Sequence, residues 1–204
     1  MKEATSPAHT PFVRAIRALA LMLLAGALGL ALVACAPKTD AEVLREGISS
    51  ELDPIKNLDS ATLETILAGF TAEADLTSIG VDNAEFCKAV FAGFDYKIEN
   101  VIIHDKEAKV ETTFTAKDLM AAMADYQAKA VELVNSPAVS SMSIEELNRK
   151  KGALLMECMD AAPFKTVTID LPCKLEGSTW KPTAGFYVAL NSIFINEETP
   201  ASAG

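Results

Sequence analysis

Histidine is nearly missing from this chain: two occur in 204 residues, and only His104 lies beyond the first forty. Tryptophan occurs once, at Trp180, and aromatic side chains make up 6% of the total. There is no Gly-rich phosphate loop, no Gly-x-Ser-x-Gly turn and no His-Glu-x-x-His helix, which excludes the common phosphate-binding, serine-hydrolase and zinc-protease signatures. The four cysteines, Cys35, Cys87, Cys158 and Cys173, are far apart in sequence. No pair has the short spacing of a zinc site, and a Cys–His nucleophile would have to rely on His104 alone. No catalytic residue, metal ligand or cofactor is therefore assigned. Positive charge is also scarce, with 18 Lys and Arg against 28 Asp and Glu. A surface of that sign is repelled by nucleic acid and by anionic headgroups, so neither is an expected partner.

What the chain does have begins at its N-terminus. Lys2, Arg14 and Arg17 precede an uncharged stretch, 18–37, rich in Leu and Ala. A basic segment followed by a short apolar one is the layout of a secretory signal. At its end, Leu32-Val33-Ala34-Cys35 resembles the lipobox of bacterial lipoprotein precursors. The resemblance implies a diacylglycerol thioether on Cys35 and cleavage between Ala34 and Cys35. It also implies an extracytoplasmic protein of the cell membrane, whose first partner is membrane lipid through the acyl anchor on Cys35. Ala36 follows, so the aspartate associated with inner-membrane retention is missing. Each buried methylene of such an anchor contributes ~0.8 kcal/mol, and two or more chains hold a protein stably. The alternative is an uncleaved spanning helix over 18–37, which Gly26, Gly29 and Pro37 weaken. Three basic residues and one acidic residue, Glu3, lie before residue 35, so the remainder carries 15 basic and 27 acidic side chains, a net charge near −12.

The chain then divides into a lipidated cysteine and short tether (35–40), a single domain (41–195) and a small, polar tail (196–204). Helix starts are legible in the domain. Asp82 with Glu85 and Ser143 with Glu146 are capping-box patterns, flanked by the apolar pairs Val81/Phe86 and Met142/Leu147. Asp59 caps a further helix, and Thr115 with Asp118 is a weaker start. Leu63, Ile66, Leu67 and Phe70 recur at helical spacing, as do Cys87, Val90, Phe91 and Phe94, and Leu147, Leu154, Leu155 and Cys158. A first helix runs from about Ala41 to Ser50, with Pro54 marking its end.

Strand signals fall in two places. Tyr96 and Ile98, then Val101 and Ile103, lead into a polar His104–Glu107 turn, and Val110, Thr112 and Phe114 return as a hairpin. Val167, Ile169, Leu171, Cys173 and Leu175 alternate with polar neighbours, and Pro172 among them predicts an edge or a bulge. A Gly177 turn leads to Thr179-Trp180-Lys181-Pro182, and Phe186, Leu190, Ile193 and Phe194 suit a closing helix. The expectation is α+β, with a small antiparallel sheet of about four strands and about six helices packed mainly on one face. Leu175-Glu176-Gly177-Ser178-Thr179-Trp180-Lys181 resembles the end of the sheet in NTF2-like and cystatin-like domains of Gram-positive lipoproteins. Two helices between the hairpins depart from the simple cystatin pattern.

Cys87, Cys158 and Cys173 fall on apolar faces and read as buried small hydrophobes, with a disulfide as the alternative that an exported protein permits. Asp170 points away from the core. Met120, Met123, Met142, Met156 and Met159 read as core before they read as an adaptable groove. Trp180 is expected to close the sheet against a helix with its N–H bonded, the alternative being an aromatic site with Tyr96, Phe186 and Tyr187. Function follows as a non-enzymatic binding or interaction domain, whose ligand is a small molecule or an envelope protein. The alternative is a pocket enzyme of the NTF2-like type with an acidic general base. An inhibitor of the cystatin type would use the His104–Ala108 turn.

Overall fold

The first helix, α1 (Asp40–Lys56), starts where Thr39 and Glu42 close a capping box, each side chain taking the other's backbone N–H. Leu44, Ile48, Leu52 and Ile55 recur at helical spacing and are buried. Pro54 does not end this helix but lies inside its last turn. That close to the C-terminus the missing N–H costs a single bond, and the turn still closes through Asn57 N–H on the Asp53 carbonyl (2.8 Å). A computed structural model describes residues 38–73 and 76–194. Helix α2 (Ser60–Glu73) follows, with the Asp59 carboxylate accepting the Thr62 N–H at 2.9 Å. After a 3₁₀ turn at Thr77–Ile79, Asp82 caps α3 (Asn83–Phe91) by accepting from Glu85 N–H at 2.9 Å.

Strands β1 (Asp95–His104), β2 (Glu107–Lys117), β3 (Phe164–Glu176) and β4 (Thr179–Pro182) form one antiparallel sheet in the order β1-β2-β3-β4. A bulge between Ile98 and Asn100 explains why the apolar rhythm of β1 switches from even to odd positions. Tyr96, Ile98, Val101 and Ile103 all stay on one face, opposite Phe114, Thr112, Val110 and Ala108 of β2. Pro172 sits in β3, an interior strand, yet its outer side is a free edge. Pairing with β4 stops at Cys173 and Pro182, and the Pro172 carbonyl accepts from Thr183 N–H at 3.1 Å. The missing N–H therefore leaves no ladder bond unmade.

Helix α4 (Leu119–Asn135) and α5 (Ile144–Asp160) are inserted between β2 and β3, and α6 (Ala184–Phe194) closes the domain. The start expected at Thr115 is displaced. Thr115 belongs to β2, paired with Asp95 and Thr166, and α4 is capped by Asp118, which accepts from Met120 and Ala121 N–H. Continued pairing of Ala116 and Lys117 with β3 keeps the chain extended past Thr115. Ser143 and Glu146 form the full capping box of α5. Lys117, buried, donates from Nζ to the Met159 carbonyl at 2.8 Å, fastening the end of α5 to the sheet.

One face of the sheet is core. Val110, Phe114 and Leu171 there are fully buried, beneath Phe91 of α3, Leu52 of α1 and Ile193 of α6. Phe91 and Phe194 meet edge-on with centroids 5.8 Å apart. Leaving any one such side chain in water instead would forfeit ~1.5–3 kcal/mol. The opposite face is polar, with Thr113 and Thr168 hydroxyls bonded at 2.8 Å and Lys109 paired with Asp170 at 3.6 Å. The fold is thus the α+β arrangement expected, with four strands and, among the described residues, six α-helices. Among those residues, no helix is long and apolar enough to cross a membrane.

Candidate functional site

Two concavities deserve chemical comparison. The first is a narrow cleft between α1 and the β4 end of the sheet, with free space for about one water molecule. Val43, Leu44, Gly47, Ile48 and Glu51 supply its helical wall, because residues three and four apart share a helix face. Trp180, Lys181 and Pro182 of β4, Cys173 of β3 and Phe186 of α6 supply the other. A second, equally narrow compartment shares Glu51, Pro182 and Phe186, and continues along Leu52, Ile55, Tyr187 and Leu190. Glu51 stands at the junction of the two.

The surface the cleft exposes is almost wholly apolar, although Trp180, Glu51 and Lys181 of its lining each carry a polar group. Trp180 is 3% exposed and its Nε1 is buried without a hydrogen-bond partner, contrary to the bonded indole expected from sequence. The facing side chains Val43, Leu44 and Ile48 carry no acceptor, and the carbonyls behind them serve the helix. An unpaired buried donor of this kind costs ~1–3 kcal/mol. Glu51 is half-buried, and this burial pushes its carboxyl above the ordinary carboxylate value. Sequence reading missed Glu51. The available signal was a carboxylate three residues after Ile48, on the apolar stripe of α1. Of the aromatic group considered for a ligand site, Trp180, Phe186 and Tyr187 do gather here. Tyr96 does not: it packs against Phe114, and its hydroxyl donates to Asp53 at 2.6 Å.

The second concavity, about 250 Å³ and the roomier of the two, lies beside the β1–β2 turn and is lined by Ile102, His104, Glu107, Lys109, Pro172 and Lys174, among others. Cys173 also borders it, but register puts Cys173 opposite Ala108 in the core row, whereas His104 is exposed and pairs with Glu107. Burial drives the Cys173 thiol up to about 11, the reverse of nucleophile activation. Cys87 is raised to about 11 by burial too, and Cys158 likewise by burial together with a hydrogen bond to Asp125. All three cysteines are buried free thiols. Asp170 is exposed beside Lys109 and far from the apolar cleft's lining. Met123 and Met159 are core, Met120 is exposed, and no methionine lines either concavity. Ala34 and Cys35 lie outside the described residues.

No protein-family model and no curated protein matches the chain. A solved structure similar to it is that of YcdA of Bacillus subtilis, regarded as a lipoprotein, with 14% identity and a TM-score of 0.41. The match covers 72% of this chain and 47% of that one, so the chain spans about half the length of its structural neighbour.

Proposed function

We propose that this chain is a lipid-anchored, extracytoplasmic binding protein, held by diacylglycerol on Cys35 and presenting the α1–β4 cleft to a ligand. The lipobox Leu32-Val33-Ala34-Cys35 carries the anchor. The tether is short, since Thr39 already caps α1. At ~3.3–3.6 Å per extended residue, the domain sits within ~20 Å of the lipid surface. The acidic surface suits a soluble domain held there. The single observation that supports binding is the cleft itself, a narrow apolar recess walled by Trp180, Phe186 and the Leu44–Ile48 face of α1. The NTF2-like likeness of the β3–β4 end belongs to the same proposal.

The anchor is tested by Cys35→Ser, since serine forms no thioether. The variant is expected to leave the detergent phase and to retain its signal segment. Wild-type partitioning by that variant contradicts lipidation.

A pocket enzyme with Glu51 as general base is the second reading, favoured by the upward shift of its carboxyl in an apolar setting. Glu51→Gln separates the two: a binding protein keeps its ligand, whereas an enzyme accumulates unconverted substrate.

A further inference from the structure

We propose that the concavity beside the β1–β2 turn is a second ligand site. It takes a small organic monoanion, whose acid group meets the Lys174 ammonium and whose apolar body lies on Ile102 and Pro172. The site is on the sheet face turned away from the α1–β4 cleft, so it stands or falls apart from the function proposed for that cleft.

Register builds the site from two cross-strand rows. Ile102, Lys109 and Pro172 lie side by side on β1, β2 and β3, and His104, Glu107 and Lys174 form the next row toward the turn. Both rows point away from the core, because Ile103, Ala108 and Cys173 between them pack on the core side. The short Pro172 ring stands among the longer side chains of Lys109 and Lys174. A trough of about 250 Å³ results, with both apolar and polar surface open to a ligand. Drug-sized ligands occupy ~300–1,000 Å³, so this one is smaller. Its floor is fixed before binding. The Pro172 carbonyl accepts from the Thr183 N–H at 3.1 Å and from the Thr183 hydroxyl at 3.2 Å. Gly185 lets the start of α6 close on the ring, since a Cβ there would stand 3.2 Å from Pro172 Cγ.

Charge selects the sign of the ligand. In a chain of net charge −10, the lining holds two ammonium groups, Lys109 and Lys174, against one carboxylate, Glu107. Lys109 shares its charge with Asp170 at 3.6 Å, whereas among the described residues Lys174 has no ion-pair partner. Lys174 also faces Lys181 directly across β3 and β4, and like charges so placed oppose the pairing. Glu176, 3.0 Å from Lys181, relieves one of the two. An anion on Lys174 relieves the other, and the single surplus positive charge of the lining suits a monoanion. Ile102 is 44% exposed beside this trough, and covering it favours a ligand with an apolar body.

The test titrates hexanoate into the protein extracted from its producing membrane and held in phosphatidylcholine nanodiscs. Heat of binding is followed together with the rate at which each lysine is acetylated, read by mass spectrometry. Hexanoate should bind saturably and slow acetylation of Lys174 and Lys109. Lys97, on the same face but outside the lining, should react at its original rate. Hexanamide keeps the body without the charge, and acetate keeps the charge with little body. Each should bind at least about fivefold more weakly. Lys174→Glu should weaken hexanoate at least about tenfold. Lys97→Glu makes the same change of net charge elsewhere and should leave the affinity within about twofold. Both positions are exposed, so both variants keep the fold. No saturable binding, equal affinity for hexanoate and hexanamide, or equal loss in the two variants overturns the site. A dimer in sedimentation that Lys174→Glu splits also overturns it, by making this face a contact between copies. None of these results bears on the α1–β4 cleft.

Discussion

Glu51 is retained at a position where burial penalises its charge. Its folded carboxyl titrates above the ordinary value of 4.5, so the unfolded chain releases this proton first as pH rises. The contribution of Glu51 to stability is therefore full below pH 4.5 and lost above it. Glu51→Gln should be more stable than wild type at pH 7 in urea titration, with the difference vanishing below pH 4.5. Equal stability at both pH values would mean that the carboxyl is effectively solvated. A structural position of the opposite kind is Gly152 in α5. A Cβ there would stand 2.1 Å from the Ile79 carbonyl oxygen and 2.9 Å from Val81 Cγ2. Backbone cannot yield as a flexible side chain would, so Gly152→Ala is expected to lose about 3 kcal/mol in the same assay. Neither role is visible in sequence. Gly152 looks like a mild defect in a helical stretch, and only the approach of the Thr77–Ile79 turn gives it a purpose.

Among the elements, the helix caps were the most legible features. Ser143–Glu146 and Asp82–Glu85 follow local chemistry that four consecutive residues complete by themselves. The bulge in β1 was written in the switch from Tyr96 and Ile98 to Val101 and Ile103. Errors arose where tertiary pairing overrode local preference. Thr115 has a good N-cap side chain, but partners on both neighbouring strands hold it extended. Pro54 withholds a single N–H, and the last turn of α1 still closes through Asn57 N–H on the Asp53 carbonyl. The cleft was illegible because its walls, α1 and β4, lie more than a hundred residues apart. Attachment of the α4–α5 insertion has one test at this scale. Lys117 is the polar clasp between β2 and the end of α5, and desolvation lowers its ammonium below the usual lysine value. Lys117→Met keeps the length and removes the donor, leaving the Met159 carbonyl with only the long bond from Ala162 N–H at 3.4 Å. A loss of about 1.5–3 kcal/mol is expected, accompanied by faster amide exchange in α5 than in β1. Unchanged exchange in α5 would show that packing alone secures the insertion.

The whole molecule should lose stability in alkali. Cys87, Cys158 and Cys173 each titrate at about 11 when folded against 9.0 for the free thiol. Tyr96 is raised to about 12 from 10.0, chiefly by burial. For each, the unfolded chain deprotonates first, so their contribution is complete below pH 9 and is lost as pH climbs from 9 to 12. Lys117 acts in the opposite sense, since its lowered value returns stability as pH approaches 10.5, but it is one group against four. Thermal unfolding should therefore show a flat midpoint through neutral pH and a fall beginning near pH 9. Replacing the three cysteines with alanine should flatten that fall up to about pH 10. An unchanged alkaline slope in that variant would mean the thiols are solvated.

At the same scale, an α+β domain begins five residues after Cys35, and its first helix is also one wall of its apolar cleft. In the proposed reading, α1 joins the anchor to the binding surface. The most direct measurement is native mass spectrometry of the protein extracted from its producing membrane, followed by the same spectrum after unfolding. A lipid-anchored binding protein gives the mass of residues 35–204 plus a diacylglycerol thioether, with a further mass that departs on unfolding. The unprocessed mass of all 204 residues with no lipid and no releasable companion contradicts both the anchor and the ligand.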